Sequence, residues 1–142
     1  MTIVKFRAYV KSEKVLGRVV GIDFQNHRVS VEIEGQEIRD YEMENVVITQ
    51  FTGLYDDNGV EIYEGDIVEI QEMNITPYRS VVHYDFMGAW VESHPLRRQL
   101  GFSVIQNLSD YCDYGRGMPM EVGGKVGKCS VVGNFFESKI NN

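Results

Sequence analysis

With 142 residues, 43% of them hydrophobic and 11% aromatic, the chain carries enough apolar surface to offset its conformational entropy in one domain or two small lobes, which excludes the disordered class. Its formal net charge of −7 is unevenly spread: residues 1–48 hold 7 basic and 8 acidic side chains, residues 49–94 hold 1 and 9, and residues 95–142 hold 6 and 4. An acidic middle of this kind is repelled by phosphate backbones, so charge-driven nucleic-acid binding is disfavoured.

In chain order, the first third reads as a small β-meander. Val20, Ile22 and Phe24 alternate with Gly21 and Asp23, and Val29, Val31 and Ile33 alternate with Ser30, Glu32 and Glu34, the period of half-buried strands. Gln25-Asn26-His27-Arg28 is the predicted loop between them and Glu34-Gly35-Gln36 the next turn. Val46-Val47-Ile48 then runs without a linker into Thr49-Gln50-Phe51-Thr52-Gly53-Leu54. Asp56-Asp57-Asn58-Gly59 is the strongest turn signal, because Asn-Gly supplies positive φ at little steric cost.

Gly65-Asp66 punctuates the entry to a strand that begins near Ile67, Pro77 breaks the chain, and Val82, Tyr84 and Phe86 alternate with His83 and Asp85 as a further strand ahead of Gly88 and Trp90. Helix is expected only as one short stretch around Leu108–Cys112, too brief to stand without packing on a sheet. Gly115, Gly117, Pro119, Gly123 and Gly124 mark a loop, and Lys128–Phe136 a final strand with a Gly-Asn bend. The pattern predicts an all-β protein.

Three segments resemble the YopX family of phage and prophage proteins. The opening one is Ile3-Val4-Lys5-Phe6-Arg7-Ala8-Tyr9. The central one, Gln50-Phe51-Thr52-Gly53-Leu54-Tyr55-Asp56-Asp57-Asn58-Gly59-Val60-Glu61-Ile62-Tyr63-Glu64-Gly65-Asp66-Ile67-Val68, follows a Q-[YF]-T-G-L-x-D-x-N-G-x-x-I-[YF]-x-G-D-[IL]-V pattern. The third, Val131-Val132-Gly133-Asn134-Phe135-Phe136-Glu137, is similar to the family's closing V-I-G-N-I-[YF]-E segment, after which the usual N-P-E-L-L-like ending is replaced by Ser138-Lys139-Ile140-Asn141-Asn142. The resemblance implies a β-meander packed with an SH3-like barrel over residues 1–142, with 1–48 as an N-terminal lobe and 49–142 as the barrel lobe. It also implies carriage on mobile genetic elements and no established biochemical activity.

Candidate chemistry is sparse. Asp56, Asp57, Glu61, Glu64 and Asp66 could be a divalent-cation site, but no EF-hand spacing is present and Asn-Gly accounts for the composition as a turn, with Asp66 bonding backbone amides. His83 and His94 lack a patterned partner, and Cys112 and Cys129 form no CxxC pair, so inert histidines and buried free thiols are expected. The glycines between Gly115 and Gly127 match neither a P-loop nor a dinucleotide fingerprint. Phe51, Tyr63, Tyr84, Phe86, Trp90, Phe135 and Phe136 are expected mostly in the core, with Tyr55 and Tyr63 as exposed exceptions flanking the acidic turn.

The functional expectation is a non-enzymatic interaction module with a protein partner, self-assembly through an exposed strand edge as one route, and no metal, cofactor or membrane. Its contact residues would be Tyr55, Tyr63, Arg97, Arg98 and Arg116. Lacking a signal-like start or a membrane-length apolar run, the chain is expected in the cytoplasm of a bacterial host. Three alternatives stand beside it. One is nucleic-acid association through Arg97, Arg98, Arg116, Lys125 and Lys128. Another is an acidic face that imitates DNA and occupies a host protein. The third is metal-assisted hydrolysis centred on Asp56, Asp57, Asp66 and His83.

Overall fold

A computed structural model of the chain describes residues 4–101, 105–112 and 127–140. The chain divides into two compact units, one formed by residues 1–51 with 136–142 and the other by Thr52–Phe135.

In the first unit, β1 (Phe6–Val10), β2 (Val15–Asp23), β3 (Arg28–Glu32), β4 (Arg39–Glu42) and the first part of β5 (Val46–Tyr55) form an antiparallel array in the order β4-β3-β2-β1-β5. Period-2 alternation sets the pairing register except in β2, where a shift between Val19 and Gly21 packs Val19 and Ile22 on the core and leaves Val20 and Phe24 exposed. Arg7 faces Arg18 across β1 and β2, and Val29 faces Tyr41 across β3 and β4. The inward set is Ala8, Val10, Val29, Val31, Ile33 and Val46. The short helix α2 (Phe135–Ile140) adds Phe136, whose ring stacks on Tyr9 at 6.1 Å.

In the second unit β5 ends against β6 (Glu61–Tyr63). Two three-stranded antiparallel sheets follow: β7 (Asp66–Glu72) lies between β12 (Gly127–Asn134) and β8 (Tyr78–Val81), and β10 (Gly88–Glu92) lies between β9 (His83–Asp85) and β11 (Ile105–Asn107). Leu54, Ile62, Val68, Ile70, Val82, Val91, Leu108, Tyr111, Cys112 and Cys129 form the core. Strand β7 shows how the sequence places carboxylates inside. Its alternate residues Asp66, Val68, Ile70 and Glu72 are all buried, so the period that buries two aliphatics also buries an acid at each end.

The mostly β class expected from the sequence is what the structure has. Helix is sparse: the predicted Leu108–Cys112 stretch holds a single 3₁₀ turn over Leu108–Asp110, and two further short helices, α1 (Pro95–Gln99) and α2, span five and six residues. The closing strand stops at Asn134, so Phe135 and Phe136 belong to α2. The strand read through Phe86 ends at Asp85, leaving Phe86 in the turn. Among the described residues the ladders of the second unit trace separate antiparallel sheets. The glycine-marked loop from Gly115 to Gly124 lies outside the described residues, and no described helix is long and apolar enough to cross a membrane.

Candidate functional site

The acidic turn is built as its composition predicts. The Asp56 N–H donates to Val60 O at 2.9 Å, the Gly59 N–H donates to Asp56 O at 3.0 Å, and Gly59 has φ +79°, a region that side chains with a Cβ rarely enter. The Asp56 carboxylate is buried and fully engaged. Its Oδ1 accepts from the N–H groups of Asn58 and Val60, each at 2.9 Å, and its Oδ2 accepts from the Val131 N–H at 2.9 Å. Asp57 Oδ2 accepts from the Cys129 N–H at 3.0 Å.

Asp66 is likewise consumed. It is 1% exposed, its Oδ2 accepts from the Tyr63 N–H at 2.8 Å, and its Oδ1 accepts from Asn134 Nδ2 at 3.2 Å. The central and closing motifs are therefore two halves of one structural joint. Asp56 and Asp66 are thus held by amide donors, and among the described residues no three His, Cys, Asp or Glu side chains come together to hold a metal ion. The His83 ring stacks on Trp90, ring centroids 4.1 Å apart.

At the other end of β7, Glu72 Oε1 accepts from the Tyr111 hydroxyl at 2.5 Å, both side chains being buried. Burial and that bond to Glu72 push the Tyr111 hydroxyl far above the usual phenol range. His94 stands edge-on to Tyr78 at 5.0 Å.

The β9–β10 hairpin carries the most exposed large apolar side chain among the described residues. Asp85 faces Gly88 across the turn, Gly88 has φ +90°, and Phe86 between them is 96% exposed, with Met87 also exposed. One carboxylate locks this tip: Asp85 Oδ1 accepts from the Met87 N–H at 2.8 Å and Oδ2 from Trp90 Nε1 at 3.0 Å. The Trp90 bond, then the Met87 amide, hold the Asp85 carboxyl below its ordinary value. The first unit has a similar tip on its β2–β3 hairpin. There Asp23 accepts from the Asn26 side chain at 2.8 Å and from the Asn26 N–H at 3.1 Å, and the next residue, Phe24, is 75% exposed.

Of the predicted contact residues, Tyr63 is buried at 8% exposure because β6 turns it inward, and Tyr55 is half-buried on β5, so neither is an exposed exception. Arg98 lies on α1 with its guanidinium 3.8 Å from Glu92 Oε2. Arg97 is on the same helix, its side chain among those not described, and Arg116 and Lys125 fall outside the described residues. Phe86 is the residue that sequence reasoning missed. Its alternation with Val82 and Tyr84 reads as a buried strand, whereas the signal that could have found it is Asp85 with Gly88, a turn frame that puts the residues between them at the tip. Two hollows accompany these features. One, of about 340 Å³, lies in the first unit between Tyr9, Lys14 and Glu34, and one, of about 330 Å³, lies over β7 and β12 beside Asp57, Glu69 and Lys128.

Comparison with known proteins places this geometry. The family model described as YopX protein matches residues 5–139. A solved structure described as protein EF1440 from Enterococcus faecalis is similar over 98% of this chain and 97% of that one, with 24% identity and a TM-score of 0.58, a likeness of fold. No curated protein matches.

Proposed function

This chain belongs to the YopX family, and on that premise we propose that it is a non-enzymatic interaction module of phage or prophage type that docks a protein partner through its β9–β10 tip. The observation that carries the reading is Phe86, 96% exposed on a turn that Asp85 ties to Met87 and Trp90. A phenylalanine held there contributes nothing to the fold, while its burial in a partner's pocket is worth about 1.5–3 kcal/mol. Because the turn is already ordered, little entropy is lost on docking. Trp90, half-buried and stacked on His83, gives the tip an aromatic base of the type that anchors interfaces.

Charge favours a partner with a basic rim, since Asp85 is exposed on this hairpin. It does not favour a DNA mimic as strongly as the residue count suggests. Asp56, Asp66 and Glu72 of the acidic middle are buried, so the negative face is thinner than the sequence reads. In the C-terminal third, Arg98 is spent on Glu92.

The reading is tested by recovering proteins from host cells with wild-type and Phe86→Ser bait, then measuring the purified partner against both. Equal melting temperatures with at least about tenfold weaker binding by Phe86→Ser support it. Equal binding by both proteins would remove the β9–β10 tip from any interface.

A further inference from the structure

Strand β12 is an edge of the β12-β7-β8 sheet. Edge strands offer a row of open N–H and C=O groups to any other chain, and proteins usually deter pairing with charged side chains. The β4 edge of the first unit does so with Arg39, Asp40 and Glu42. Strand β12 carries a single charge, Lys128 near its start, and from Cys129 to Asn134 its sequence is Cys-Ser-Val-Val-Gly-Asn, without a charge.

The edge is closed differently. Cys129 and Val131 are two residues apart, so their N–H groups point the same way, opposite to that of Ser130. Both are occupied by the acidic turn: the Val131 N–H donates to Asp56 Oδ2 at 2.9 Å and the Cys129 N–H to Asp57 Oδ2 at 3.0 Å. The Asp57 N–H completes the set by donating to Cys129 O at 3.1 Å. Two carboxylates and one amide thus take the place of a fourth strand.

We propose that the Asp56–Asp57 turn is an edge cap that blocks β12 from pairing with β12 of a second copy of this chain. A strand pairing antiparallel with its own copy makes a two-fold, closed contact, so a second copy is the occupant an uncharged edge suits. Lys128 is the one ionised side chain on β12, which leaves little like-charge repulsion along the Cys129–Asn134 stretch. With the cap closed the chain is monomeric through this edge, and opening the cap makes it a dimer. The inference is independent of the Phe86 tip, and its test uses different residues.

The test is sedimentation of wild type, Asp57→Ala, Asp57→Asn and Asp57→Ala/Val132→Lys across the micromolar range, each checked for a cooperative melt. Asn keeps an acceptor for the Cys129 N–H and Ala does not. Lys at Val132, 40% exposed on β12, restores a charged edge. The expected result is self-association of Asp57→Ala at least about tenfold tighter than wild type, with Asp57→Asn and the double variant back to monomer. A folded Asp57→Ala that stays monomeric overturns the proposal, as does a dimer that survives Val132→Lys. Amide hydrogen exchange on the wild type decides the matter if Asp57→Ala does not fold. Protected Cys129 and Val131 amides are expected, and exchange at open-coil rates overturns the cap.

Discussion

Asp66 and Asn134 stand 68 positions apart in the chain and meet inside the second unit, where Asn134 Nδ2 donates to Asp66 Oδ1 at 3.2 Å. The other carboxylate oxygen of Asp66 receives the Tyr63 N–H at 2.8 Å. Gly65 extends the joint, its N–H donating to Val82 O at 2.9 Å and its carbonyl accepting the Phe135 N–H at 2.8 Å. A two-residue motif therefore fastens β6, the residue after β8 and the end of β12 at one point.

Asp66→Ala is expected to cost about 2–4 kcal/mol, because it removes the charge-assisted acceptor of a buried amide and a buried carboxamide. A turn-former with one backbone partner would lose about 1 kcal/mol. Urea unfolding distinguishes the two, and a loss within about 0.5 kcal/mol of zero would dissolve the joint as described.

Gly59→Val is expected to lose about 1–3 kcal/mol by forcing a β-branched residue to φ +79°, while Gly59→Asn loses less, since Asn tolerates that region. Thermal melts of the pair give the order. If Val and Asn proved equally tolerated, strain at this position would not be the reason for glycine.

The chain has a single tryptophan, so Trp90 reports on its own hairpin. The Asp85 carboxyl is lowered by the Trp90 indole and the Met87 amide, which bind its ionised form; those contacts are complete above the ordinary carboxylate value of 3.8 and are lost as pH falls through the lower value in the folded protein. The indole N–H resonance should shift with a midpoint below 3.8 in wild type and show no such step in Asp85→Asn. A wild-type midpoint above 3.8 would contradict the geometry.

Tyr111 supplies the alkaline counterpart. Its hydroxyl is raised by burial and by the bond to Glu72, so the folded state keeps a proton that the unfolded chain releases near pH 10. The unfolded state then binds fewer protons, and stability falls as pH rises above about 10. Tyr111→Phe should flatten part of that fall while costing about 1–3 kcal/mol at neutral pH through the partner lost to Glu72. Unfolding curves at neutral and alkaline pH measure both effects. An unchanged alkaline slope would assign it to other tyrosines.

Local patterns made the meander, the Asp56–Gly59 turn and the start of β7 legible, because period-2 alternation and positive-φ demand act over a few residues. The same logic misled at Phe86. Alternation with Val82 and Tyr84 assigns it to a strand, but Asp85 bonds to Met87 and Trp90 and ends the strand one residue earlier. Tyr63 was misread for the opposite reason: its neighbours are acidic, yet β6 packs against β5 and turns it inward.

By itself the sequence determined the β class, the family, the turn chemistry and the uneven charge, all of which are written in neighbouring residues or in a continuous motif. Only the tertiary structure decided what the acids do. Asp56 and Asp57 reach Val131 and Cys129, and Asp66 reaches Asn134, across separations of about 70 residues. A buried carboxylate must find donors wherever the fold supplies them, and strand pairing, not adjacency in sequence, sets which amides lie within hydrogen-bond reach.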